Sequence, residues 1–118
     1  MALRWFKVCR TDELKDGQAR SIRLAARPYA VFKVDGALYG LDGACGHMKA
    51  NLASGRLCGD VVECAMHGWE YRVTDGECLT VPGMRLAQHP VKTEDGQVWI
   101  GLEWPADASG TETNGEDR

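Results

Sequence analysis

The sequence contains no long apolar run, and its number of cysteines is odd. No stretch of its 118 residues approaches the length that spans a bilayer, and no apolar segment of the signal-peptide kind follows Met1. We therefore expect neither a membrane anchor nor a secretion signal, and we predict a cytoplasmic location. Five cysteines do not suit a secreted disulfide framework, whereas in a reducing compartment cysteines are more often metal ligands or buried thiols.

An excess of basic residues is also missing. The net charge is −3, and the last fourteen residues, with four acids and one arginine, account for all of it, so residues 1–104 contain thirteen acids and thirteen bases. A neutral body argues against binding to nucleic acid and against a role at the membrane surface. Residues 105–118 contain no aromatic or β-branched aliphatic residue, and we predict that they form a disordered acidic tail.

Helical periodicity is absent as well, and short strand-like runs take its place. Five Asp-Gly dipeptides, beginning at positions 16, 35, 42, 75 and 95, predict tight turns between such runs. The predicted strands are Trp5–Cys9, Ile22–Ala25, Tyr29–Val34, Ala37–Leu41, Val61–Cys64, Trp69–Val73, Cys78–Val81, Pro90–Thr93 and Gln97–Leu102. Residues 44–60 are predicted to be a long irregular loop, and such loops are usually functional. The sequence thus predicts one all-β domain of antiparallel sheets.

Two short motifs offer metal ligands in the middle of the chain. Cys45-Gly46-His47 and Cys64-Ala65-Met66-His67 are separated by sixteen residues, and each supplies one thiolate and one imidazole, both good ligands for zinc or iron. In an extended backbone, the side chains of Cys45 and His47 point to the same side about 7 Å apart. This spacing favours two adjacent irons over a single zinc ion, although a structural zinc site remains the alternative.

With Gly68-Trp69 directly after them, the two motifs resemble the signature of Rieske-type [2Fe–2S] proteins, and the resemblance covers residues 5–102. It implies that Cys45 and Cys64 bind one iron and that His47 and His67 bind the other. It also implies a Rieske fold over residues 1–104. In that fold, a base domain (1–41 and 77–104) carries an inserted cluster-binding subdomain (42–76).

Three positions distinguish this sequence from high-potential members of the family. The second motif has Met66 where those members have a cysteine, and no cysteine lies between His47 and Arg56, so the disulfide that clamps their cluster is absent. Trp69 occupies the position of a serine that donates to a bridging sulfide in those members, whereas Tyr71 matches a tyrosine that in them donates to a cysteine sulfur. Fewer donors stabilise the reduced cluster less, so we expect a potential toward the low end of the roughly −150 to +300 mV Rieske range.

The resemblance implies a small Rieske ferredoxin. Such a protein carries one electron from a flavin-dependent reductase to the terminal oxygenase of a multicomponent system in aromatic hydrocarbon catabolism, and we expect a monomer that docks transiently. The alternatives are the small subunit of a nitrite-reductase-like enzyme and a structural zinc module. The chain itself is not predicted to be an enzyme. A terminal oxygenase needs a further iron held by two histidines and a carboxylate, and only His89 is left for it.

The remaining notable side chains have structural interpretations. We expect His89 to be a surface or edge residue, Cys9 and Cys78 to be buried thiols, and Cys58 to have a structural role. For Trp69 two alternatives are open: it lines a docking surface, or it packs beneath the cluster loop.

Overall fold

The computed structural model describes residues 2–24, 27–43, 51–65 and 68–104, so the predicted acidic tail lies outside the described residues. The strands are β1 (Ala2–Arg10), β2 (Ala19–Leu24), β3 (Arg27–Val34), β4 (Ala37–Asp42), β5 (Arg56–Cys58), β6 (Val61–Glu63), β7 (Glu70–Arg72), β8 (Gln88–His89), β9 (Val91–Glu94) and β10 (Gln97–Trp104). Two 3-10 helices, Thr11–Glu13 and Leu52–Ser54, interrupt the strands. The all-β prediction is confirmed, and no helix in the described ranges is long and apolar enough to cross a membrane.

The strands form three antiparallel sheets. One has the order β1-β10-β9, the second β2-β3-β4-β8 and the third β5-β6-β7. The third sheet lies within the predicted cluster-binding subdomain, and the first two draw on the segments before and after it. The boundaries of that subdomain stay a prediction.

Two of the Asp-Gly dipeptides form tight hairpin turns, as their sequence predicts. At Asp35-Gly36 the φ angles are 52° and 83°, and at Asp95-Gly96 they are 56° and 74°. Two successive positive φ angles match the right-handed twist of the flanking strands. Asp42-Gly43 differs, because β4 does not turn back onto the next strand there. Instead the chain enters residues 44–50, which lie outside the described ranges.

The core has two parts, and β3 separates them. Tyr29 and Val31 project into one cluster of buried side chains, whereas Ala30 and Phe32 project into the other. This follows from the alternation of side chains along a strand. The second cluster contains Leu52, Val62, Cys64, Tyr71, Val73, Cys78 and Leu86, so it joins the four-stranded sheet to the β5-β6-β7 sheet.

Three local predictions differ from the structure. Cys78–Val81 is not a strand: Cys78 forms a single bridge with Tyr71, and the chain then bends toward Pro82 and Gly83. The N–H of Val81 donates to Cys78 Sγ (3.3 Å), and the carbonyl of Val81 accepts from the N–H of Met84 (3.3 Å), so these residues bond within a bend and not to a neighbouring strand. The predicted irregular loop 44–60 contains the 3-10 helix and β5, and the sequence analysis also missed β8.

Candidate metal centre

Cys64 is the described residue among the four predicted ligands. It directly follows β6, and its side chain is buried, with 1% of the residue exposed. Val62 and Tyr71 belong to the same buried cluster, so the polypeptide around Cys64 is fixed by packing on the core. The position of the Cys64 side chain is therefore set by the fold itself.

A tight loop follows Cys64 and returns the chain to β7. The N–H of Gly68 donates to the carbonyl of Cys64 (2.9 Å), and the N–H of Cys64 donates to the carbonyl of Trp69 (2.7 Å). Gly68 has a φ of 75°, which L-residues with side chains rarely adopt, so glycine is required to close the loop. The predicted ligand His67 lies within this loop but outside the described residues.

Cys45 and His47 also lie outside the described residues, and the residues on either side of them can be placed. The carbonyl of Gly43 accepts a hydrogen bond from the N–H of Leu52 (2.7 Å), so the chain leaves residues 44–51 next to where it entered. Leu52 shares the buried cluster with Cys64. Leu52, which follows the segment that contains the first motif, therefore packs in the same core as Cys64, the first predicted ligand of the second motif.

A shallow depression of about 480 Å³ lies beside Cys64. It is lined by Ser54, Gly55, Arg56, Glu63, Cys64, Ala65 and Gly68. Arg56 on β5 and Glu63 on β6 are opposite each other in the strand register. The lining therefore contains one charged side chain of each sign and no strongly charged patch. In the described part of the chain no three metal-ligating side chains come together, and the other three predicted ligands belong to segments beyond it.

The two aromatic residues after the second motif differ in burial. Tyr71 is fully buried in the core, whereas Trp69 is half-buried and packs against the same core from its edge. Trp69 thus packs on the core, as expected for a residue beneath the cluster loop, and is also partly exposed, as expected for a residue of a docking surface. Both alternatives for Trp69 stay open.

Among the described residues, His89 and the remaining cysteines do not come together in a group that could hold a metal ion. His89 lies on the edge strand β8, as predicted, but its Nε2 atom is 2.8 Å from Asp42 Oδ1. Cys9 and Cys78 are buried, which confirms their prediction, and burial raises the pKa of the Cys9 thiol. Cys58 is exposed on β5, so the structural role predicted for it is not supported.

Comparison with known proteins decides the family. The model of the Rieske [2Fe–2S] domain matches residues 4–92. The chain belongs to the Rieske [2Fe–2S] domain family. It is 34% identical over 101 residues to "Ferredoxin CarAc" of Metapseudomonas resinovorans, a match that covers 84% of this chain and 94% of that protein.

Two solved structures have folds similar to that of this chain. A ferredoxin in a complex of reduced oxygenase and oxidised ferredoxin in carbazole 1,9a-dioxygenase is similar with a TM-score of 0.77 and 33% identity, over 86% of this chain and 95% of that one. An NADH-dependent nitrite reductase small subunit from Mycobacterium tuberculosis has the same TM-score at 20% identity, over 89% and 100% of the two chains. The second likeness shows the fold alone.

These comparisons establish a Rieske-type [2Fe–2S] cluster as the cofactor and an electron carrier of an oxygenase system as the role. The chain is a carrier component and not a catalyst, as predicted. The structure fits the group: Cys64 is held by packed core residues beside open space, and two thiolates with two imidazoles are the ligands of a Rieske cluster. Such a cluster supplies one-electron chemistry, and the packed core fixes the position of Cys64.

Proposed function

We propose that this chain carries single electrons from a flavin-dependent reductase to the terminal oxygenase of an aromatic-ring oxygenase system. In this proposal Cys45 and Cys64 hold one iron of its cluster, and His47 and His67 hold the other. The observation that carries the ligand assignment is the position of Cys64. Its buried side chain lies beside a depression, at the start of a loop closed by Gly68, with His67 inside that loop.

The chain's own residues prepare electron transfer in two ways. The core that surrounds Cys64 keeps this ligand still, which lowers the rearrangement that accompanies a change of charge. Trp69, which packs against that core, is partly exposed, so its accessible side is available for contact with a partner. We further propose that the protein is a cytoplasmic monomer, with the cluster-binding subdomain formed by residues 42–76.

A matched pair of cysteine variants tests the ligand assignment. Cys64→Ser should abolish the cluster, because it replaces a proposed thiolate ligand with a weak donor, whereas Cys58→Ser at the exposed position should retain two irons and two sulfides. Iron and sulfide assays on protein purified without oxygen measure the difference. Full cluster content in Cys64→Ser would overturn the assignment.

The midpoint potential of the cluster tests the assignment of His67 as a ligand. His67→Cys should lower the midpoint potential, because a thiolate adds negative charge that disfavours the reduced cluster. The reverse result, an unchanged potential in a variant that holds its cluster, would contradict ligation by His67.

Partner choice and oligomeric state are tested separately. The wild-type protein should sediment at its monomer mass of 13.0 kDa. In stopped-flow mixing it should accept electrons from flavin-dependent reductases of aromatic-ring oxygenase systems and pass them to their terminal oxygenases. If it exchanges electrons only with a nitrite reductase large subunit, the oxygenase partnership is wrong.

A further inference from the structure

Residues 86–89 hydrogen-bond both to the residue that ends β4, before the first ligand motif, and to the turn after β7, the strand that follows the second motif; we call this segment the strap. Its backbone bonds to both sides. The N–H of Asp42 donates to the carbonyl of Ala87 (3.0 Å), and the N–H of Leu86 donates to the carbonyl of Gly76 (2.8 Å). Asp42 precedes the first ligand motif, and Gly76 follows the strand that leaves the second.

The side chain of His89 reinforces the first connection. Its Nε2–H donates to the carboxylate of Asp42 at 2.8 Å, and the two side chains are 17% and 35% exposed. The ring of Tyr29 meets the imidazole edge-on at 5.4 Å and fixes its orientation. Because both side chains are partly shielded and one is charged, this bond is stronger than an exposed neutral pair.

Asp42 transmits this contact to the entrance of the first ligand segment. It is the last residue of β4 and lies three positions before Cys45. The next residue, Gly43, donates its N–H to the carbonyl of Pro28 (2.9 Å) and accepts from Leu52. A Cβ atom at Gly43 would lie 2.9 Å from backbone atoms of Pro28 and Tyr29, so Gly43 packs directly on the backbone of β3 with no space for a side chain.

The side chain of Gln88 reinforces the second connection. Its Nε2 donates to the carbonyl of Thr74 at 2.7 Å. Thr74 lies two residues beyond β7, the strand that receives the chain from the loop between Cys64 and Trp69. Two adjacent side chains of β8 thus bond to the two ligand-bearing parts of the chain, one to each.

We propose that the strap sets the position of the Cys45/His47 segment relative to the Cys64/His67 loop, with His89 and Gln88 as positioning residues. The inference rests on the ligand assignment made under the proposed function. A Rieske cluster needs ligands from both segments at once, so a change in their relative position alters the ligand geometry at the irons.

Four variants of the cluster-loaded protein test this role. His89→Ala and Gln88→Ala remove one side-chain contact each, and His89→Gln retains a donor toward Asp42. Glu94→Ala is the control, because it breaks an ion pair of similar length, 3.1 Å to Lys92, on β9 of the β1-β10-β9 sheet. The measurements are the EPR spectrum of the reduced protein and the rate at which iron passes to a chelator.

We expect iron loss to accelerate about tenfold in His89→Ala, as for the loss of a hydrogen bond to a charged group. Gln88→Ala should accelerate it a few-fold, since its neutral bond is exposed. Both should shift or broaden the EPR signal, whereas His89→Gln and Glu94→Ala should resemble the wild type. A merely structural role would weaken the fold without changing the spectrum of the protein that keeps its cluster.

Three results overturn the inference, and they are distinguishable. If the wild type shows a mixed Cys/His signal while spectra and iron loss in His89→Ala and Gln88→Ala equal those of Glu94→Ala, the strap is wrong and the ligand assignment stands. If the wild type itself lacks that signal, the ligand assignment fails and the strap with it. Should His89→Ala not fold, His89→Gln and Gln88→Ala decide, and failure of all three to fold also overturns a positioning role.

Discussion

Gly55→Ala should damage both the fold and the cluster environment, because Gly55 touches the strand that leads to Cys64. Its φ is −77°, which alanine adopts freely, so any penalty comes from space and not from backbone conformation. A Cβ atom at Gly55 would lie far closer than 3.0 Å to the carbonyl oxygen of Glu63, a separation that real Cβ atoms essentially never show. Glu63 directly precedes the proposed ligand.

The size of the effect follows from the contact. The clash is with backbone, which cannot rotate away, so the segment after the 3-10 helix and β6 must move apart. Overpacking of this kind destabilises a protein by about 1–3 kcal/mol, and a backbone clash belongs near the upper limit. In a domain of this size each kcal/mol lowers the melting temperature by roughly 4–8 °C, so we expect a decrease of about 12 °C or more.

Gly59→Ala is the matched control on the turn between β5 and β6. Gly59 has a φ of 62° and open space around it, so alanine there introduces only backbone strain of about 1–2 kcal/mol. Thermal unfolding followed by circular dichroism gives the stability of both variants, and EPR of the reduced protein reports on the cluster. Gly55→Ala should change the EPR signal and Gly59→Ala should not. The reasoning is refuted if the melting temperature and the EPR spectrum of Gly55→Ala equal those of the wild type.

Three further outcomes are expected. Phe32→Ala should lower the free energy of unfolding by about 3–5 kcal/mol in urea titrations, since the side chain is fully buried; a loss below about 1 kcal/mol would contradict the packing. Burial raises the pKa of Tyr29 above 10.0, so the unfolded state ionises first and stability falls as pH rises past about 10; Tyr29→Phe should show a smaller loss between neutral and strongly alkaline pH, and an equal loss would contradict this cause. Iodoacetamide at mildly alkaline pH should modify exposed Cys58 well before Cys9, whose pKa burial raises, as peptide mapping can check.

The sequence predicted the parts of the fold that depend on local chemistry. Asp35-Gly36 and Asp95-Gly96 form hairpin turns because Asp and Gly tolerate positive φ. The run Tyr29–Val34 is a strand as its alternation indicates. The alternation alone did not show that both faces of this strand are buried, because that depends on which sheets pack on either side.

What escaped prediction depends on contacts between distant residues. β8 has two residues, too few for any periodicity, and it exists because Gly40 and Leu41 of β4 pair with it. The pairing of His89 with Asp42 joins positions 47 residues apart and has no local signal. β5 could have been found, since Gly59-Asp60 directly after Arg56–Cys58 is a dipeptide typical of hairpins. The run Cys78–Val81 was misleading because only its two end residues, Cys78 and Val81, pack on the core; the chain bends between them, and Leu79 and Thr80 are exposed.

The ligand set itself is the central claim, and EPR with nitrogen ENDOR on the dithionite-reduced protein tests it most directly. Protein purified without oxygen should contain two irons and two sulfides, and its signal should show couplings to two imidazole nitrogens. Those couplings should fall to one in His67→Cys and stay at two in His89→Gln. A cluster without nitrogen couplings, or a colourless protein that holds zinc, would contradict ligation by Cys45, His47, Cys64 and His67.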